Sequence, residues 1–91
     1  MRLGDLKISL LGMPLERPLA TQLFSSEYVF VEIMGKEDKK LILTLAPNQD
    51  TTIHDLQKYD ENDLEIMIRD SEQLLHKIYG YRIIDNIIVL A

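Results

Sequence analysis

The chain has neither cysteine nor tryptophan, and its 91 residues include only four glycines and three prolines. Without cysteine there is no disulfide framework, no thiolate zinc site and no thiol nucleophile. Short secreted chains often depend on such staples, so their absence leans toward a reducing, cytoplasmic setting. Long hydrophobic runs are also lacking. The longest, Ile87-Ile88-Val89-Leu90-Ala91, falls far short of the about 20 residues that span a bilayer. Met1-Arg2-Leu3-Gly4-Asp5 puts an acid ahead of a short apolar run with no small-residue cleavage site behind it, unlike a signal peptide. No cluster of Lys and Arg stands free of acids, which argues against nucleic acid and anionic membrane as partners. Lys36, Lys39 and Lys40 are interleaved with Glu37 and Asp38 and read as a solvated hairpin tip.

What is present is enough to fold. The apolar fraction is 46% and the charged fraction 27%, which is ordinary for a globular chain and unlike a disordered one. The length fits a single domain over residues 1–91. Net charge is −5, and residues 50–72 own it, with eight acids against two bases.

Leu6, Ile8 and Leu10 alternate with Asp5, Lys7 and Ser9, the period of a half-buried strand. Pro18 is suited to open a short helix through Phe24. Tyr28–Met34 is aromatic and β-branched and carries one charge, Glu32. With Leu41–Leu45 it predicts a hairpin across a long charged loop at 35–40. Thr52 and Asp55 have capping-box spacing ahead of a single helical turn at Ile53 and Leu56. Leu64, Met67, Ile68, Leu74, Leu75 and Ile78 fall on one face of a helix spanning 62–79. Its first turn is acidic, His76 and Lys77 lie in its last, and Gly80 stands at C′. Residues 81–90 are β-branched and predict a final strand, with a helix as the rival. The expected fold class is therefore α+β: a small antiparallel sheet of three to four strands with one long amphipathic helix packed on one face.

Catalytic chemistry finds no pattern to stand on. His54-Asp55 has the look of an oriented base, but nothing in the sequence joins it to His76. The acidic run Asp60-Glu61-Asn62-Asp63-Leu64-Glu65 lacks the glycine of a calcium loop and has Leu64 where a ligand belongs. Ser25-Ser26 lacks a nucleophile elbow, and no Gly-rich phosphate loop is present. No catalytic, cofactor-binding or metal-binding residues are assigned, and the chain reads as a non-enzyme.

One feature points to binding. Strand 28–34 is apolar on both faces, with Val29, Val31 and Ile33 on one side and Tyr28, Phe30 and Met34 on the other. A strand buried on one face alternates with polar residues, so something must cover the second face. The expected function is a non-catalytic protein-interaction module or accessory subunit. It would meet a protein partner, or a second copy as a homodimer, through Tyr28, Phe30 and Met34. The alternative is an acidic inhibitor or immunity-type protein that blocks a basic surface through residues 50–72, with Asp60, Glu61, Asp63 and Glu65 as contacts. A small enzyme built from scattered carboxylates and His54 or His76 is a third reading.

Overall fold

The structure, a computed structural model, describes residues 1–91. Two short helices, α1 (Leu3–Ser9) and α2 (Ile53–Leu56), accompany seven strands. These are β1 (Leu19–Thr21), β2 (Val29–Glu37), β3 (Lys40–Leu45), β4 (Glu65–Arg69), β5 (Leu75–Lys77), β6 (Tyr81–Ile84) and β7 (Ile87–Leu90). All seven join one sheet in the order β5-β4-β3-β2-β1-β7-β6. The sheet is mixed: β1 runs parallel to β7 and β3 parallel to β4, while the other neighbours are antiparallel.

The α+β expectation is therefore overturned. The chain is a β-rich half-barrel with helices of seven and four residues, and no long helix crosses the sheet. Residues 62–79 show why. Leu64, Met67 and Ile68 keep helical spacing, but Ile66 fits no helical stripe and is as fully buried as Ile68. Three consecutive buried residues, Ile66-Met67-Ile68, mark a strand covered on both faces. The place in the helical face filled by Ser71 is a turn. Asp70 Oδ1 accepts hydrogen bonds from the backbone N–H groups of Glu72 (2.8 Å) and Leu74 (3.0 Å), and Gln73 adopts φ 71°. This Asx-type turn folds β5 back on β4.

The expected strand at 5–10 is instead α1. Leu6 and Leu10 suit either period; Leu3 suits only the helix and is fully buried, while Ile8 is 69% exposed. The expected helix at 18–24 is replaced by β1, whose Leu19, Ala20 and Thr21 are all buried. The hairpin of residues 28–45 is present, but its tip is a two-residue turn, Asp38-Lys39, with Asp38 at φ 53°. The helical turn at Ile53–Leu56 is present with its capping box: Asp55 Oδ2 accepts the Thr52 N–H at 2.8 Å. Residues 81–90 form two strands. Asp85 and Asn86, at φ 52° and 64°, make the primed turn that suits a two-residue hairpin.

Because the sheet curls, its inner face encloses one core. Leu3, Leu6 and Leu10 of the α1 segment meet Val31, Leu41, Leu43, Ile66 and Ile68 there. Residues 1–3 bind along the start of β4: the Leu3 N–H donates to Leu64 O (2.8 Å) and the Ile66 N–H to Met1 O (3.0 Å). The Met1 ammonium donates to Glu65 Oε2 at 2.5 Å and to Ile78 O at 2.7 Å. Close approach also fixes Gly4, whose N–H donates to Asn62 O at 2.9 Å. A Cβ at residue 4 would lie 2.7 Å from Asn62 Cβ and 3.0 Å from its carbonyl oxygen. Helix propensity alone favours alanine there by up to about 1 kcal/mol, but the clash opposes it. Gly4→Ala is expected to destabilise the fold by about 1–2 kcal/mol, read as a lowered urea midpoint with an unchanged slope.

Candidate functional site

Three exposed aliphatic side chains lie on and just after α1. Leu3, Leu6 and Leu10 fill the interior, which turns Ile8 of α1 outward at 69% exposure; Leu11 and Leu15, in the turns that follow the helix, are 75% and 40% exposed. Beside them opens a cleft of about 270 Å³ between α1 and α2. Leu10, Ile53 and Leu56 form its floor and belong to the main core. Leu11, Gly12 and Leu15 form one rim, while Lys7 and Gln57 supply its polar edge.

Local backbone chemistry holds both walls. Pro14 and Pro18 bracket an irregular segment that cannot enter a central strand. Its carbonyls receive the first amides of α2: the Ile53 N–H donates to Arg17 O (3.1 Å) and the His54 N–H to Leu15 O (3.0 Å). On the other side the Lys7 ammonium donates to the Tyr59 carbonyl, tying α1 to the chain that leaves α2. Gly12, at φ 85°, supplies the left-handed turn after α1.

Of the three residues expected to make the interface, the fold brings Tyr28 and Phe30 together and sets Met34 apart. Tyr28 and Phe30 share the outer face of the sheet, their rings edge-to-face with centroids 5.8 Å apart. With Ile84 they lie over Ala20, Ile87 and Val89 as a small second cluster, which half-buries them within the chain itself. Met34 is separated from this pair by a β-bulge between Ile33 and Gly35 and is 58% exposed. The second apolar face of strand 28–34 is thus partly covered intramolecularly by neighbouring strands.

Of the four acids expected to form a contact surface, three are engaged by cations of the same chain. Glu61 pairs with Lys36, Asp63 with Lys39 at 3.5 Å, and Glu65 with the Met1 ammonium. That ammonium holds the Glu65 carboxyl below the usual carboxylate range. Asp60 has no such partner.

The histidines lie in different environments. His54 is exposed on α2, and its neighbour Asp55 is spent on the capping box, whose Thr52 N–H holds that carboxyl below its ordinary pKa. His76 on β5 pairs through Nε2 with Asp70 Oδ2 at 2.8 Å, and Phe24 from the β1–β2 loop meets its ring edge-to-face at 4.9 Å. No group of three or more His, Asp or Glu is disposed to hold a metal ion. No helix is long and apolar enough to cross a membrane. Comparison of the chain with protein-family models, curated proteins and solved structures finds no match.

The cleft is not legible from the period-2 pattern of residues 5–10, which makes a strand of the segment that forms one of its walls. Helical spacing of Leu3, Leu6 and Leu10 was the signal that would have exposed it.

Two outcomes follow from these contacts. Phe30→Asp removes the cover of the second cluster and is expected to cost about 2–3 kcal/mol of stability, measured by denaturant melts. Asp70 is held below its ordinary pKa first by the His76 hydrogen bond and then by the Leu74 N–H. A lowered folded-state pKa contributes stability above the unfolded carboxylate pKa, and that stability is lost as pH falls through the folded value. Wild type is therefore expected to lose stability over that acid range more steeply than Asp70→Asn, which keeps an oxygen for the turn; parallel pH profiles of urea midpoints would refute the assignment.

Proposed function

We propose that the protein is a non-catalytic interaction module, an accessory subunit or adaptor that docks a protein partner through the α1 face. The observation that supports this reading is the exposed row Ile8, Leu11 and Leu15 beside a cleft floored by rigid core residues. Aliphatic side chains around a preformed depression are what a partner's anchor residue requires. The cysteine-free composition supports placing this activity in the cytoplasm. The acidic surface is the weaker docking candidate, since three of its four carboxylates already have cations of their own chain.

Leu11→Asp tests the reading directly. Leu11 is three-quarters exposed, so the substitution is expected to shift stability by no more than about 0.5 kcal/mol. Association should weaken by about tenfold or more, whether measured as self-association by light scattering after size exclusion or as retention of a co-purifying partner. A wild-type chain that stays monomeric and retains no partner overturns the proposal, as does association indifferent to Leu11→Asp.

A further inference from the structure

We infer that the cleft between α1 and α2 is a binding site for a small aliphatic carboxylate, its hydrocarbon tail against Leu11 and Leu15 above Leu10, Ile53 and Leu56, and its head on Lys7. The inference rests on the same reading of the cleft as the functional surface, but it names a ligand rather than a protein.

Three observations converge on this chemistry. Size comes first: at roughly 30 Å³ per liquid-packed heavy atom, about 270 Å³ holds about nine such atoms. That matches a straight-chain acid of six to eight carbons, whereas a nucleotide or a long-chain lipid would leave much of itself outside the cleft. Polarity comes second. Five of the eight lining residues are hydrophobic: Leu11 and Leu15, 75% and 40% exposed, give a tail its apolar contact, and the buried Leu10, Ile53 and Leu56 close the bottom with aliphatic side chains. Charge comes third. Lys7 is the only charged residue lining the cleft and pairs with no carboxylate of the chain, although the net charge is −5. Its ammonium gives one hydrogen bond to the Tyr59 carbonyl, which fixes its position and leaves two of an ammonium's three donors for a ligand. Gln57 adds an amide beside it. A held cation at the mouth of an apolar cleft selects an anion with a short apolar tail over a neutral or cationic amphiphile.

The experiment is a ¹H–¹⁵N titration of the full chain with sodium octanoate, kept below its micelle concentration, and in parallel with octanamide. Octanoate is expected to shift amides of residues 7–15 and 53–57 saturably and to bind about tenfold tighter than octanamide, the effect of one charge-assisted hydrogen bond at a half-exposed site. Lys7→Met should remove that preference, bringing octanoate to the affinity of octanamide. Lys7→Arg, which keeps the charge, should retain most of it, and the melting temperatures of both variants separate lost binding from lost folding. The inference is overturned by octanoate shifts that do not saturate or fall elsewhere, by equal affinity for octanamide, or by a preference that survives Lys7→Met. A peptide ending in leucine with a free carboxylate, binding tighter than octanoate at the same amides, would reassign the site to a chain terminus. Octanoate binding alongside association indifferent to Leu11→Asp sinks the docking proposal alone; the converse sinks this one alone.

Discussion

Ile78, Tyr79 and Gly80 join β5 to β6, and these two strands stand at opposite edges of a seven-stranded sheet. Four Cα steps reach at most about 14 Å, whereas six inter-strand spacings in a flat sheet would separate the edges by about 28 Å. The sheet therefore has to curl. The link is pinned as well as short: the Tyr79 and Gly80 N–H groups donate to Ala91 O at 2.8 and 3.1 Å, and Ile78 O receives the Met1 ammonium. Curling gives the sheet an inside, and the inside is where Leu41, Leu43, Ile66, Ile68, Ile88 and Leu90 converge.

An inside must be filled, and α1 does so. A helix of seven residues has one stripe facing in, supplied by Leu3, Leu6 and then Leu10, and its opposite side has no second layer to meet. The candidate site is a consequence of this geometry. Leu10, Ile53 and Leu56 serve both the core and the floor of the cleft, so the floor is as rigid as the core itself. Ile8 and Leu11 contribute nothing to that packing and are left to solvent.

What the sequence discloses about this fold depends on the range of the interaction that decides each element. The β2–β3 pairing, the α2 capping box and the extended character of the C-terminal stretch are set by neighbours a few residues away and could be read directly, but the tight turns at Asp38-Lys39 and Asp85-Asn86, the second of which divides 81–90 into two strands, could not. Misreadings fell where two periods share the same residues. Leu6 and Leu10 satisfy both period 2 and helical spacing, and only burial against strands distant in sequence chooses between them. Residues 64–78 are the stronger case: every local cue for a helix was present, including the acidic start and Gly80, yet parallel pairing of Leu41–Leu43 with Ile66–Ile68 prevailed. Nothing near residue 66 in the chain announces a partner at residue 41. The candidate site was illegible for the same reason, since it joins residues 7–15 to residues 53–57 and rests on α1 being a helix. Alternation along strand 28–34 is local and puts Tyr28 and Phe30 on one face, but the bulge that removes Met34 and the strands that cover the pair are long-range facts.

The two apolar surfaces differ in what they have left to give. Tyr28, Phe30 and Ile84 already lie on Ala20, Ile87 and Val89, so much of their hydrophobic free energy is realised in the folded chain. Ile8 and Leu11 retain most of theirs, on the order of 1–2 kcal/mol each, with somewhat less for Leu15. Together that is about 4 kcal/mol, which only matches the low end of the cost of bringing two molecules together, about 4–15 kcal/mol. The exposed row by itself therefore holds a partner weakly. On the proposed reading, a lasting complex would need a group that also enters the cleft and meets Lys7, so the depression rather than the exposed residues around it would decide affinity.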